Sequence, residues 1–266
     1  GNALRRRLVD DQRSVGQGAG GEEHLRAGDG GVGQVGGEVR RAGGEALGNH
    51  RAAQRLEGLL ADYLGAEDNE YTHAVMRKSL CAAVARAAAG GVKFDYMPIF
   101  VGPQGIGKST FLSVLGKEWF SDSLTTFEGK EAAELIQGTW INEVGELTAF
   151  TKQETQVIKQ FLSKTDDIYR AAYGKRAEKY PRHCVFFGTS NDTEFLKDAT
   201  GNRRFWPVDV GVHKAMKSIW EDLPKEVDQI WAEAYMYWQM GEKLFLPKEI
   251  EHLAEAAQKE HRESSG

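Results

Sequence analysis

One run of residues determines how this chain can fold: Met97-Pro98-Ile99-Phe100-Val101-Gly102-Pro103-Gln104-Gly105-Ile106-Gly107-Lys108-Ser109-Thr110. Its first five residues are apolar, as in a buried strand, and residues 108–118 continue with Phe111, Leu112 and Leu115 at helical spacing. Between them, residues 102–110 match the pattern G-x-x-x-x-G-K-[ST]. A strand, a glycine-rich turn and a helix in this order predict an α/β fold with a phosphate-binding loop.

Each residue type in this loop suits the binding of phosphate. Glycines let consecutive backbone N–H groups point at phosphate oxygens, and the start of the following helix adds a positive end. Lys108 is expected to reach the β- and γ-phosphates of a nucleotide, and the Ser109 hydroxyl to bind Mg²⁺. The predicted nucleotide contacts are Gly102, Pro103, Gln104, Gly105, Ile106, Gly107, Lys108, Ser109 and Thr110. The alternative is a glycine-rich turn that matches by chance, which the flanking strand and helix disfavour.

Apolar strands alternate with helical segments along the chain. Strands are predicted at 97–101, 124–127, 139–144, 184–189 and 205–210, and helices between them at 108–118, 130–137 and 151–163. This alternation predicts a mainly parallel five-stranded sheet covered by helices on both faces. Flanking helices are predicted at 54–64, 71–90, 214–241 and 247–262. In the helix at 214–241, an aromatic stripe that includes Trp220, Trp231 and Trp238 indicates core or interface packing.

The chain begins with a glycine-rich arm. This arm spans residues 1–53; it is followed by a helical segment at 54–92, the predicted core at 93–212 and a second helical segment at 213–266. The first fifty residues contain no Phe, Tyr, Trp or Cys, so the arm cannot offset its ordering entropy by apolar burial and is predicted to be disordered. It is interpreted as a linker, an artefact of a wrong reading frame or start site, or an arginine-containing nucleic-acid tether.

Composition narrows the cellular location and the class of partner. No run of about twenty apolar residues occurs, which excludes a membrane-spanning helix. Arg5-Arg6-Arg7 precedes no apolar region, so a secretion signal is not expected, and two cysteines are too few for a disulfide framework. We therefore predict a cytoplasmic protein. The net charge of -5 argues against a globally basic nucleic-acid binder but leaves a local basic surface open.

Polar residues at the ends of two later strands are the candidates for catalysis. Glu143 ends the strand at 139–144 and is expected to hold Mg²⁺ beside Ser109; Glu146, just beyond, is expected to polarise the attacking water. The spacing alone does not fix which glutamate does which task. Asn191 follows the strand at 184–189 and is expected to contact the γ-phosphate or orient the water, with a simple turn as the alternative.

Arginines follow in Gly201-Asn202-Arg203-Arg204-Phe205-Trp206-Pro207. The guanidinium group is permanently charged and planar, so it suits stabilisation of a transition state from a neighbouring subunit. Two adjacent residues of a strand point in opposite directions. We therefore expect one of Arg203 and Arg204 to serve the γ-phosphate and the other to serve the structure, with a surface ion pair as the alternative.

Residues 164–182 combine basic and aromatic side chains around Gly174, which suits a hairpin turn. Cations that follow a phosphate backbone and aromatic rings that stack on bases are typical of single-stranded DNA binding. The predicted DNA contacts are Arg170, Lys175, Arg176 and Lys179, interleaved with Tyr169, Tyr173 and Tyr180. A plain charged hairpin is the alternative, because acidic residues dilute the charge.

Together, these motifs resemble the virulence-associated protein E family of P-loop ATPases, which phages and genomic islands encode. The resemblance covers roughly residues 55–260. Its motifs are Tyr63-Leu64-Gly65-Ala66-Glu67, Lys93-Phe94-Asp95-Tyr96-Met97-Pro98, residues 102–110, Glu143-Val144-Gly145-Glu146-Leu147, Phe187-Gly188-Thr189-Ser190-Asn191-Asp192 and residues 201–207. The family is similar to superfamily III helicases and primase-helicases, whose ATPase domains form rings, usually hexamers, around DNA.

The resemblance implies a P-loop NTPase of the AAA+ type. It also implies ATP and Mg²⁺ as ligands, Asn191 as a sensor of the γ-phosphate, Arg203 or Arg204 as a finger acting on a neighbouring subunit, and DNA contact by residues 164–182. We therefore expect a ring-forming, hexameric DNA helicase or translocase of a phage or mobile element. Priming is not expected, since no primase-like segment precedes the predicted core. The alternatives are a P-loop phosphotransferase or kinase, and a nucleotide-gated interaction module without significant turnover.

Overall fold

The structure is a computed structural model that describes residue 37 and residues 55–146, 151–171, 174–196 and 202–262. The predicted disorder of residues 1–53 therefore falls almost entirely outside the described residues. The helices are α1 (Arg55–Leu64), α2 (Glu70–Ala88), α3 (Lys108–Gly116), α4 (Gly129–Leu135), α5 (Lys152–Leu162), α6 (Leu223–Gln239) and α7 (Lys248–Glu260). The strands are β1 (Met97–Val101), β2 (Phe120–Ser121), β3 (Ile141–Val144), β4 (Asp166–Tyr169), β5 (Glu178–Pro181), β6 (Val185–Ser190) and β7 (Phe205–Asp209).

Five of the strands form one sheet in the order β2-β3-β6-β1-β7. Every neighbouring pair in it is parallel, which confirms the predicted five-stranded, mainly parallel sheet. The central strand β1 pairs with β6 on one side and β7 on the other, with Val101 opposite Ser190 and Asp209. The carboxyl ends of β1, β3 and β6 therefore meet at one edge, where ligands bind in parallel sheets.

Helices cover both faces of this sheet, as predicted. The side chains of β1 alternate, with Phe100 packing into one apolar cluster and Ile99 and Val101 into the other. The first cluster joins the sheet to α1, α2, α3, α6 and α7, and the second joins it to α4 and α5. Residues from the segments at 54–92, 93–212 and 213–266 thus share one apolar cluster. Cys81 and Cys184 are both buried.

Two predictions about individual elements were wrong. Residues 124–127 do not form a strand; the edge strand is Phe120–Ser121, which pairs with Ile141 and Asn142. Leu124 and Phe127 are nevertheless buried in the apolar cluster on one face of the sheet. The apolar pattern of these residues therefore indicated burial correctly, but it did not indicate strand pairing. The helix predicted to begin at 214 begins at Leu223, one residue before Pro224, because a proline is tolerated in the first turn of a helix but not in its interior.

The two remaining strands form a hairpin outside the main sheet. Strands β4 and β5 pair antiparallel, with Asp167 opposite Tyr180 and Tyr169 opposite Glu178. Arg182, just after β5, is buried and donates two hydrogen bonds to the carboxylate of Asp167, at 2.7 and 2.9 Å. It also donates to the carbonyl oxygen of Phe161 at 2.6 Å. This buried ion pair fixes the base of the hairpin to the end of α5.

Thr151 and Glu154 form a capping box at the start of α5.

Arg86 in α2 is fully buried and donates to the carbonyl oxygens of Val92, Phe94 and Cys184. These bonds hold the residues that precede β1 beside the residue that precedes β6.

Among the described helices, none is both long and apolar enough to cross a membrane.

Candidate functional site: a polar cleft at the carboxyl edge of the sheet

The turn between β1 and α3, here called the glycine loop (residues 102–107), lies at the carboxyl edge of the sheet. Gly107 precedes α3 with φ 93, a conformation that L side chains rarely adopt. A Cβ atom there would lie 2.7 Å from Ile219 Cδ1, so a side chain would also force the end of Ile219 to shift. Gly107 and the first residues of α3 line an open cleft of about 960 Å³, on the side of the helix whose first N–H groups have no partner within the helix.

Lys108 is almost buried, with 7% of its surface exposed, and its amine lies at the base of the cleft. The amine donates hydrogen bonds to the carbonyl oxygens of Gly102, at 2.6 Å, and Pro103, at 2.9 Å. It donates a third, of 2.9 Å, to Asn191 Oδ1. Burial lowers the pKa of this amine, and the nearby carboxylate of Glu143 opposes that shift. The loop thus holds a cation beside the end of β6.

Glu143, at the carboxyl end of β3, is the buried acid of the cleft, with 4% of its surface exposed. Its Oε1 atom accepts hydrogen bonds from Ser109 Oγ and Thr189 Oγ1, both at 2.7 Å. Its Oε2 atom is also buried and has no hydrogen-bond partner among the described residues. A buried carboxylate oxygen without a partner is costly. The atom is therefore suited to bind a cation.

Thr189 was missed by sequence reasoning. It lies near the carboxyl end of β6, after an apolar start to the strand, and its Oγ1 atom reaches Glu143 on the neighbouring strand β3. The available signal was a hydroxyl at the polar end of that strand, two residues before the predicted sensor Asn191. Its hydrogen bond fixes which oxygen of Glu143 remains available.

Glu146 and Asn191 also line the cleft. Glu146 is exposed and has φ 52, an uncommon backbone conformation for a residue other than glycine. Asn191 follows β6 directly, and its Oδ1 atom is occupied by Lys108, which leaves its Nδ2 group as a donor. The structure therefore brings the predicted loop, Glu143, Glu146 and Asn191 together in one cleft.

The two arginines lie outside this cleft and have different surroundings. Arg204 Nε donates to Ser163 Oγ at 2.9 Å and lies 3.6 Å from Asp95 Oδ2. Arg203 is exposed and lines a separate pocket with Tyr96 and α7. Neither arginine is among the residues that line the cleft of its own chain.

The four predicted DNA contacts lie on the hairpin, and all are exposed. Lys179 Nζ is 3.0 Å from Asp166 Oδ2, whereas Arg170 lines a pocket of about 660 Å³ together with Lys130 and Lys164. The two lysines of this pocket were not among the predicted contacts.

The tyrosines do not match the predicted stacking surface. Tyr169 is buried and stacks on Tyr180, with ring centroids 4.4 Å apart. The prediction that Tyr169 presents an open ring to bases was therefore wrong, since alternation along β4 turns it inwards. Tyr173 lies outside the described residues.

Trp220 is a further residue of the cleft that sequence reasoning misplaced. It was assigned to the aromatic stripe of a helix, but it lies before α6, is 63% exposed and lines the cleft. Trp231, by contrast, is buried, as the stripe predicted. Pro224 was the signal that distinguishes the two tryptophans. Because of this proline, the helix that contains Trp231 cannot extend back far enough to include Trp220.

Fold and site together define an α/β protein with a parallel sheet and a glycine loop that opens into a polar cleft. The chain belongs to the virulence-associated protein E-like domain family, whose model matches residues 45–263. The family predicted from the motifs is thus confirmed. No curated protein shows significant sequence similarity to this chain.

Solved structures show a related fold. An apo structure of the C-terminal region of NrS-1, in its A form, superposes with a TM-score of 0.51 at 13% identity and covers 80% of this chain and 51% of that one. A second apo structure of the same region gives a TM-score of 0.50 at 14% identity, with 80% and 52% covered. The chain therefore spans about half the length of these structures. At such low identity, the likeness concerns the fold alone.

Proposed function

We propose that this chain is an ATP-hydrolysing, ring-forming DNA helicase or translocase of a phage or mobile element, with a P-loop NTPase fold of the AAA+ type. One observation carries the ATPase part of the proposal. The buried, unpartnered Oε2 atom of Glu143 lies in the same cleft as Lys108 and the start of α3. A site for a cation next to a site for an anion is what a magnesium nucleotide requires.

The residues present fit magnesium. Magnesium prefers oxygen ligands and is commonly held by one or two protein groups, with phosphate oxygens and water completing the shell. Glu143 and Ser109 supply a carboxylate and a hydroxyl already in contact at 2.7 Å. Within the described residues, no group of three or more His, Cys, Asp or Glu side chains is placed to hold a metal. A metal bound with a nucleotide needs no such group, and it would neutralise charge on the β- and γ-phosphates.

The remaining groups suit the chemistry of hydrolysis. Lys108 holds a positive charge where negative charge develops on the γ-phosphate, and Asn191 directs its amide donor to the same region. Glu146 is exposed on the cleft and is assigned the orientation of the attacking water. The arrangement supports an in-line attack of water that forms a P–O bond, breaks the bond to the leaving ADP and yields inorganic phosphate.

Assembly is proposed from the position of Arg203. This exposed arginine lies outside the cleft of its own chain, whereas Arg204 is engaged with Ser163 and Asp95. We assign Arg203 to the γ-phosphate of a neighbouring copy and Arg204 to the structure. Each active site then needs two subunits, as in a ring, for which we propose six copies.

DNA contact is proposed for the exposed cations of the hairpin. Arg170, Lys175 and Arg176 have no acidic partner among the described contacts, while Lys179 is paired with Asp166. We therefore assign phosphate contact to the first three. Lys130 and Lys164 share a pocket with Arg170, but they lie 3.2 Å from Glu134 and 3.9 Å from Asp167, so we assign them no phosphate. Such contacts release counterions, so binding must weaken as salt rises.

The test is an ATPase assay with and without single-stranded DNA, on wild type, Lys108→Ala and Lys225→Ala. Lys225 is an exposed lysine at the start of α6 and serves as the matched control. We expect DNA to stimulate wild type and the control, and Lys108→Ala to be inactive. Phosphate transfer to a small acceptor without DNA would instead support a phosphotransferase. Tight ATP binding without turnover would support an interaction module.

A further inference from the structure

Trp220 is a large aromatic side chain left open beside the glycine loop. Its exposed fraction is 63%, whereas four other tryptophans of the chain are buried: Trp119, Trp140, Trp206 and Trp231. Single exposed apolar residues are common on protein surfaces. Trp220 is unusual because it lines the cleft together with Gly107, Lys108 and Thr110.

The turn that carries Trp220, residues 218–222, is held in one conformation by its own hydrogen bonds. The N–H groups of Asp222 and Leu223 donate to the carbonyl oxygen of Ser218, at 3.0 and 3.2 Å. In return, the N–H of Ser218 donates to Asp222 Oδ2 at 2.9 Å. Ile219 and Leu223, on either side of the exposed ring, are buried. The tryptophan is thus presented outwards from a turn anchored at both ends.

The segment before this turn is tied to α1. The N–H groups of Met216 and Lys217 both donate to the carbonyl oxygen of Asp62, at 2.9 Å. The amine of Lys217 lies 3.0 Å from Asp62 Oδ2 and 3.1 Å from Glu226 Oε2, so it joins α1 to α6. These contacts fix the position of the turn relative to the body of the protein.

The turn also packs directly against the glycine loop. A Cβ atom on Gly107 would lie 2.7 Å from Ile219 Cδ1 and 3.5 Å from Trp220 Cη2. The indole therefore lies within van der Waals reach of the loop at Gly107, and Ile219 occupies the space that a side chain there would need. The edge of the indole thus reaches Gly107, the residue directly before α3, where phosphate would bind.

We propose that Trp220 is the stacking platform for the base of the nucleotide whose phosphates the glycine loop binds. This inference rests on the nucleotide site proposed above and adds the residue that binds the base. An indole face stacks on any base, because every base has a π-face. Trp220 accordingly contributes affinity for a nucleoside triphosphate over inorganic polyphosphate, and it contributes little to the choice between adenine and guanine.

The test compares two probes, magnesium ATP and inorganic tripolyphosphate, by equilibrium binding to wild type, Trp220→Ala, Trp220→Phe and Phe245→Ala. Phe245 is 52% exposed and does not line the cleft, so it is the matched control. We expect Trp220→Ala to bind ATP about tenfold more weakly than wild type. Trp220→Phe and Phe245→Ala should stay close to wild type, and tripolyphosphate affinity should be the same in all four proteins.

Intrinsic fluorescence gives a second readout. ATP should quench the emission of wild type, and the quenching should be largely lost in Trp220→Phe although this variant still binds ATP. Equal ATP affinity in wild type and Trp220→Ala would overturn the inference. So would an equal loss of affinity for ATP and tripolyphosphate, because the turn would then act only by shaping the loop. If wild type bound neither probe, the nucleotide site itself would be refuted.

Discussion

Lys108 Nζ donates a hydrogen bond of 2.9 Å to Asn191 Oδ1. The two residues follow neighbouring parallel strands, β1 and β6, and meet because both strands end at the same edge of the sheet. With its carbonyl oxygen engaged, Asn191, which lines the cleft, has its N–H₂ group left as a donor. The hydrogen bond therefore positions both side chains at once. A substitution of either residue has its own expected effect on catalysis.

Asn191→Ala should lower kcat by about a hundredfold while ATP affinity changes little, because the proposed donor to the transition state is lost. Asn191→Asp should be equally slow, since it keeps an acceptor for Lys108 but removes the donor. Steady-state kinetics and equilibrium ATP binding measure the two effects. A raised KM with unchanged kcat in either variant would contradict the assignment.

Glu143→Gln should abolish the strengthening of ATP binding by magnesium, because the amide offers the metal no negative charge. Folding should not suffer without nucleotide, since a buried carboxylate oxygen without a partner is removed. The check is thermal unfolding and ATP binding with and without magnesium. Glu146→Gln is the matched variant, which should keep magnesium-dependent ATP binding and lose turnover. If Glu146→Gln instead lost the magnesium dependence, Glu146 would be the magnesium ligand and Glu143 the residue that orients the water.

Arg203→Ala should lose ATPase activity and keep its melting temperature, because this arginine is exposed. Arg204→Ala should instead lose about 1–2 kcal/mol of stability, since its contacts with Ser163 and Asp95 are removed. Mixing Arg203→Ala with Lys108→Ala protein should partly restore activity. At some mixed interfaces, the intact Lys108 of one variant then meets the intact Arg203 of the other. No recovery on mixing would argue against a finger acting between subunits.

Arg182→Ala should destabilise the protein by about 3–5 kcal/mol, because it leaves the buried carboxylate of Asp167 without its partner. Urea unfolding measures the effect. Lys179→Ala, at the exposed ion pair on the same hairpin, should change stability little. Similar results for the two variants would mean that the hairpin base is not anchored as described.

His261 gives a prediction for pH. Burial alone would lower the pKa of this side chain, but the Asp209 carboxylate, 3.2 Å from Nε2, and the hydrogen bond to the carbonyl oxygen of Thr193 outweigh it and raise the pKa. A raised pKa in the folded state stabilises the protein below the unfolded pKa of about 6.5, and this contribution disappears as pH rises through the folded pKa. The stability difference between wild type and His261→Gln should therefore shrink between about pH 5.5 and about pH 8.5. Urea unfolding at both pH values measures it.

The chemistry of the cleft could be predicted because it depends on short sequence patterns, each made of residues close together in the chain. Residues 97–110 specify strand, loop and helix, and polar residues at the ends of apolar strands mark Glu143 and Asn191. The prediction of a strand at 124–127 was wrong because apolar residues indicate burial, and burial is possible without strand pairing. The prediction that Tyr169 stacks on bases was wrong because successive side chains of a strand point to opposite faces, and Tyr169 lies on the inward face of the hairpin.

By itself, the sequence determined the family, the parallel sheet and the glycine loop, since each depends on residues close together in the chain. Only the tertiary structure decided that Thr189 binds Glu143 and leaves one oxygen unpartnered, that Arg203 and Arg204 have different surroundings, and that Trp220 lies on the cleft. The physical reason is that these relationships join residues distant in sequence. Strand order and packing bring such residues together, and no local periodicity encodes their contact.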